Sequence, residues 1–198
     1  MTVDDSTEAQ SDLGLRDALK RSASALKEDS VPFALGGSYA LWVHGAPEPV
    51  HDVDLVVAEQ DVAAAVDSLA AAGFRIERPA EDWLFKAYSE NSMVDVLHQL
   101  QGAPVDRELI ASADEQEVLG VRIPVLHPTE IMITKLQALS EHYCNFQQLL
   151  PVVRAIREQL DWPRIQKATQ DQPFAEAFLL LVDRLGIVAL SDPQGSAP

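Results

Sequence analysis

Three aspartates stand inside apolar β-type runs, and this most limits the folds open to the chain. His51-Asp52-Val53-Asp54-Leu55-Val56-Val57 alternates acid and aliphatic residues before turning wholly apolar, and Ser92-Met93-Val94-Asp95-Val96-Leu97 carries one acid between valines. An extended strand sends successive side chains to opposite faces, so Asp52 and Asp54 are expected on one face, about 6.5–7 Å apart at Cα. Val94 and Val96 are expected to bury the face opposite Asp95 in the same way. Charge in such strands is costly unless something compensates it. If the two strands are neighbours, three carboxylates converge and repel, and one stays protonated unless a divalent cation binds between them. Oxygen donors without paired His or Cys favour Mg²⁺ or Mn²⁺ over zinc, and Mg²⁺ held by few carboxylates leaves positions for substrate phosphates. Asp52, Asp54 and Asp95 are therefore the expected metal ligands.

The phosphate side of such a site is expected at Leu35-Gly36-Gly37-Ser38, read as a strand, a tight glycine turn and a helix start. Glycines let backbone approach an anion closely, amides at a helix N-terminus point toward it, and Ser38 adds a hydroxyl. Either motif alone is common. The ordered set is more specific: glycine turn, helix, about fifteen residues, Asp-x-Asp on a strand, then a strand-borne Asp about forty residues on.

In this order and spacing, Leu-Gly-Gly-Ser-Tyr-Ala-Leu-Trp-Val-His-Gly followed by His-Asp-Val-Asp-Leu-Val-Val resembles the nucleotidyltransferase superfamily related to DNA polymerase beta. The small prokaryotic branches are most similar: minimal nucleotidyltransferases, abortive-infection toxins, and aminoglycoside or lincosamide nucleotidyltransferases. The resemblance implies that Gly36, Gly37 and Ser38 hold the triphosphate, and that Asp52 and Asp54 bind metal. It also implies that Asp95 orients or deprotonates the attacking hydroxyl. It covers about Phe33 to Leu97. It further implies a lysine contacting nucleotide phosphates, which matches Lys135 in His-Pro-Thr-Glu-Ile-Met-Ile-Thr-Lys. Helical spacing sets Lys135 with Ile131, Ala138 and Leu139 on an inward stripe, where its stem also has the option of running along apolar surface. His44, His51 and His98 are either substrate contacts or ordinary partly buried histidines. Where relatives carry Arg and Thr or Ser ahead of the Asp pair, this chain reads Glu48-Pro49-Val50-His51. Where toxin-like relatives carry an Asp after the lysine helix, it reads Asn145.

Charge narrows the substrate. The chain has 198 residues, 31 acidic against 15 basic, a net charge of -16, and 47% hydrophobic residues, enough for a real core. Between Pro47 and Glu117 stand 16 acidic residues against four basic ones, Arg75, Arg78, Lys86 and Arg107. Such a balance repels a bare nucleic-acid backbone and attracts cations. A single Cys144 permits no internal disulfide, so a reducing cytoplasmic setting and a small buried thiol are expected. No apolar run approaches the roughly 20 residues of a bilayer span, so no membrane partner is expected.

The expected class is α+β: a nucleotidyltransferase-like mixed β-sheet flanked by helices, then a C-terminal helical part. Residues 1–12 are read as a disordered acidic tail, 13–127 as the α/β core, 128–188 as helical and 189–198 as a loose tail. Expected helices run from Asp12 to Asp29, Ser38 to His44, Gln60 to Ala72, Val105 to Ser112, Thr129 to His142, Phe146 to Gln159, Trp162 to Thr169 and Phe174 to Leu185. Expected strands are Phe33–Leu35, Val53–Ala58, Phe74–Arg78, Trp83–Ser89, Ser92–Gln99 and a Gly-turned pair within Val118–Leu126. The resemblance makes the chain an enzyme moving NMP from an NTP to an acceptor hydroxyl. The acceptor is a small molecule, cationic if the acidic walls select it, or an RNA end met by Arg154, Arg157, Arg164 and Lys167. A toxin-like role with an antitoxin-like protein partner, or a degenerate binding module of the same fold, are the alternatives.

Overall fold

The computed structural model describes residues 5–49, 52–89 and 92–190; Val50 and His51, singled out above, lie outside them. Helix α1 (Asp5–Glu28) buries Leu15, Ala18, Leu19, Ala23 and Leu26 on one stripe. Ser22 is buried among them and satisfies its hydroxyl by donating to the Ala18 carbonyl at 2.7 Å. The helix starts at Asp5, not Asp12, so residues 5–12 are helical where a loose tail was expected. That stretch contains neither Gly nor Pro, so nothing in its backbone stops the helix from running back.

Strand β1 (Phe33–Leu35) leads through the glycine pair into helix α2 (Gly37–Val43), and β2 (Val53–Val57) follows. A 3₁₀ turn precedes helix α3 (Val62–Ala71), after which come β3 (Arg75–Glu77), β4 (Leu84–Ser89) and β5 (Ser92–Leu97). β6 (Gln99–Leu100) and β7 (Ala103–Pro104) form a small separate ribbon. Strand pairing thus breaks after Leu97, whereas one strand was expected to run on to Gln99; the ribbon turns at Gln101 and Gly102, both at positive φ. Helix α4 (Arg107–Ala111) then leads to β8 (Asp114–Val118) and β9 (Val121–Val125). Leu119 and Gly120 close this hairpin with φ of 53° and 80°, the left-handed pair that tight hairpins need. β8 begins earlier than expected because Asp-Glu-Gln-Glu is an exposed edge with no apolar alternation to reveal it.

Seven of these strands form one mixed sheet in the order β3-β4-β5-β2-β1-β9-β8. The β5–β2 and β1–β9 pairs are parallel and the others antiparallel. Val53 pairs with Val94 and Leu55 with Val96, and all four are fully buried on the sheet face that α1 crosses. Phe85, Ala87 and Ser89 share that face, and Arg21 of α1 donates to the Ser89 hydroxyl at 2.9 Å. Their neighbours Lys86, Asp95 and Asp54 consequently face the other way.

The described residues up to 43 and from 48 to 126 form one compact unit, and residues 44–47 with those from 127 onward form a second. The second unit is helical: α5 (Pro128–Gln137), α6 (Phe146–Ile156), α7 (Trp162–Ala168) and α8 (Pro173–Arg184). α5 stops at Gln137, short of the expected His142, and the Gln172 side-chain amide at the start of α8 donates to the Gln137 carbonyl at 3.3 Å and also to that of Leu139. Cys144 lies exposed in the α5–α6 connection, against the expectation of a buried thiol. Capping decides this: Asn145 is the α6 N-cap, its side chain accepting from the Gln148 amide, so the residue before it stays outside the helix.

Candidate active site

The glycine turn and the acid strand meet because β1 and β2 are antiparallel neighbours. Their ladder continues past Leu35, with the Gly36 amide donating to the Asp54 carbonyl at 2.9 Å. The Gly36 amide is therefore engaged in the sheet rather than left for an anion. A Cβ on Gly36 would stand 2.8 Å from Val56 Cγ2, and one on Gly37 only 1.7 Å from Asp54 Oδ2. Gly37 also holds φ +55°, a left-handed conformation that glycine adopts without strain. The missing side chain at Gly37 is the space in which the Asp54 carboxylate lies, next to Ser38 at the start of α2.

Asp54 and Asp95 are direct register partners on the parallel β2–β5 pair, so their side chains stand side by side. Asp54 is half-buried; Asp52 is exposed. Asp52 departs from expectation: it precedes β2 with φ +29°, so strand alternation governs Asp54 alone and not the pair.

Lys86, which sequence reasoning missed as a site residue, lies opposite Asp95 on the antiparallel β4–β5 pair. Its Nζ is 2.9 Å from Asp95 Oδ1 and donates to it, and 3.5 Å from Met93 Sδ. Burial pushes the Asp95 carboxyl above the ordinary carboxylate range, and the Lys86 hydrogen bond only partly offsets this. For Lys86 burial is the largest single influence and opposes the charge, but the hydrogen bond and the charge of Asp95, with smaller pushes from Tyr88 and Asp52, together outweigh it and raise the pKa above 10.5. The negative charge of Asp52 adds a smaller upward push to both groups, so it acts on this cluster even from outside the strand. A sequence signal for Lys86 did exist: a two-residue connection between Ser89 and Ser92 sets Lys86 across from Asp95.

Among the described residues no group of three His, Cys, Asp or Glu forms a metal-binding cluster. Carboxylate oxygens such as those of Asp52 and Asp54 are the donor type a hard cation takes, and Mg²⁺ commonly uses one or two carboxylates with water and phosphate in its other positions. Other expected residues are placed as follows. His98 has a buried Nδ1 with no partner among the described residues, and burial lowers its pKa below 6.5. The His44 carbonyl accepts from the Gln159 amide at 2.7 Å. Lys135 belongs to the second unit, half-buried beside the stripe of Ile131, Met132, Leu136 and Leu139; Ala138, expected on that stripe, is exposed.

A mixed sheet with a glycine turn packed on one carboxylate strand, and a third acid on the adjoining strand, defines a nucleotidyltransferase-like fold. The chain belongs to the family described as uncharacterised nucleotidyltransferase, which it matches over residues 5–185. The solution structure of the antibiotic-resistance factor ANT(2'')-Ia has the same fold, at 16% identity and TM-score 0.50, over 86% of this chain and 92% of that one. An antigenic nucleotidyltransferase-like protein from Paracoccidioides brasiliensis is similar at 14% identity and TM-score 0.49, over 84% of this chain and 92% of that one. A putative nucleotidyltransferase from Thermotoga maritima is similar at 18% identity and TM-score 0.44, over 81% of this chain and 92% of that one. No curated protein matches the chain. No helix among the described residues is long and apolar enough to cross a membrane.

Proposed function

We propose that the chain transfers a nucleoside monophosphate from an NTP to an acceptor hydroxyl and releases pyrophosphate. The observation that carries this reading is the Asp54 carboxylate lodged in the space at Gly37, beside its strand partner Asp95. A phosphate seat and acid groups then share one place, as phosphoryl transfer requires. Gly37 and Ser38 take the phosphates, the Gly36 amide being held by the Asp54 carbonyl. Asp52 and Asp54 hold Mg²⁺ or Mn²⁺, which when bound neutralises phosphate charge. The acceptor oxygen bonds to the α-phosphorus, the bond from that phosphorus to the bridging oxygen breaks, and pyrophosphate departs with that electron pair. Asp95 takes or orients the acceptor proton, and a carboxyl raised by burial is suited to receive one.

The acceptor in this reading is a polycationic small molecule. The 16 acidic against four basic residues from Pro47 to Glu117 support that choice, because an acidic wall concentrates cations. Isothermal titration with Mg-NTP tests the nucleotide site: Asp52→Asn/Asp54→Asn is expected to lose binding, and equal binding by both proteins rejects the assignment. Incubation with labelled NTP and either polyamino-sugars or total RNA tests the acceptor. Label on RNA alone would redirect the reading to an RNA-modifying, toxin-like role. Binding without any transfer would favour a degenerate module that works through a protein partner.

A further inference from the structure

Lys86 is one of only four cations among the residues from 47 to 117, and it stands in the row that contains two of the proposed site's acids. Register aligns Glu77, Lys86, Asp95 and Asp54 across β3, β4, β5 and β2. The lysine therefore has a carboxylate directly opposite on each side. The outer one is already engaged, since Arg75 Nη1 lies 3.1 Å from Glu77 Oε2 while its guanidinium rests 4.3 Å from the Tyr88 ring centre. Lys86 turns inward to Asp95, and the pair is 24% and 14% exposed at its side chains, so neither charge is well hydrated. A half-buried ammonium with one short partner holds that carboxylate in a fixed orientation.

We infer that Lys86 is the resident cation of the site: it positions Asp95 and supplies there the charge that a second divalent ion would otherwise bring, so that a single metal ion on Asp52 and Asp54 serves the reaction. This rests on the nucleotidyltransferase reading above. Lys86 offsets one of the three negative charges that Asp52, Asp54 and Asp95 carry when ionised, so less charge has to come from bound metal. A second ion at Asp95 would have to displace the ammonium or stand beside it, and like charges at that distance repel strongly in a half-buried site. Lys86 is a positioning residue here, acting on the acceptor through Asp95.

Electron paramagnetic resonance titration of Mn²⁺, in the presence of a non-hydrolysable NTP, counts the ions directly. The unmodified protein is expected to hold one Mn²⁺ per bound nucleotide, Lys86→Met two, and Lys86→Arg one. In turnover, Lys86→Met is expected to lose about a hundredfold in kcat with little change in KM for the NTP, and Lys86→Arg to recover most of it. Two ions per nucleotide in the unmodified protein overturn the proposal whether or not the variants fold. So does a folded Lys86→Met that still holds one ion. If the unmodified protein binds no nucleotide at all, the nucleotidyltransferase site itself fails and the role of Lys86 falls with it.

Discussion

At the scale of single residues, Gly37 carries the tightest constraint. A methyl there meets Asp54 Oδ2 at 1.7 Å and needs φ +55° from a residue with a Cβ. Gly37→Ala is expected to cost about 1–2 kcal/mol for the left-handed backbone alone and to displace the carboxylate. Thermal denaturation and Mg-NTP titration read the two effects, and an alanine variant with native melting and native binding would refute the close packing. His98 gives a residue-scale pH effect. Its folded pKa lies below 6.5 because burial disfavours the charged ring, with Glu59 and Asp82 opposing. Below pH 6.5 the unfolded chain binds the proton more readily, so stability falls on acidification through that range and is regained above it. Melting temperature measured from about pH 7 down to about pH 5 should fall less steeply in His98→Gln; parallel profiles would remove His98 from the explanation. Gly37, Asp54 and Asp95 were legible in the sequence because each breaks a local pattern, an acid in an apolar strand or a doubled glycine before a helix. Lys86 breaks none, since a lysine on a strand's polar face is ordinary, and only the two-residue connection from Ser89 to Ser92 pointed to it.

Among elements, α3 and α4 are tied by one ion pair. Arg107 of α4 donates through Nε to Asp61 Oδ2 at 2.8 Å, and Asp61 is buried at the start of α3. The Arg107 hydrogen bond outweighs burial and holds the Asp61 pKa below its ordinary 3.8. A depressed carboxyl stabilises the fold above its unfolded value and loses that contribution as pH falls through the folded one. Asp61→Asn is therefore expected to melt below the unmodified protein at neutral pH and to converge with it as pH drops below 3.8. A gap that stays constant across that range would show that the pair's charge is not what matters. β2 lies inside the sheet between β1 and β5, and Leu55 on it is fully buried. Leu55→Ala is expected to cost about 2–5 kcal/mol in urea unfolding, whereas a cost under about 1 kcal/mol would mean the site had collapsed around the gap. Element boundaries were legible at the end of α3, expected at Ala72 and found at Ala71, and at the start of α6, expected and found at Phe146. They were missed where charge hid an edge strand, as in β8, or where a turn divided what reads as one strand, as between β5 and β6.

For the whole molecule, the net charge of -16 governs the electrostatics more than any single ion pair does. Like charges of that number repel within a folded chain, and salt screens them over about 10 Å at 0.1 M. The exposed pairs, such as Arg16 with Glu48 and Arg157 with Glu158, contribute little that screening could remove. Raising NaCl from about 50 to about 500 mM is accordingly expected to raise the melting temperature; a decrease would mean that specific ion pairs outweigh the general repulsion. By itself the sequence determined which residues are unusual for their local structure: the glycine turn, the strand-borne acids, the apolar helical stripes and the acidic excess around them. Those features are periodic or adjacent, and a chain of a few residues already expresses them. Only the tertiary structure decided which strands are neighbours. β2 lies between β1 and β5, which puts Asp54 against Gly37 on one side and beside Asp95 on the other, and β4 brings Lys86 to Asp95. Alternation tells which face a side chain takes but not whose neighbour it becomes, because strand pairing depends on burying apolar faces far apart in sequence.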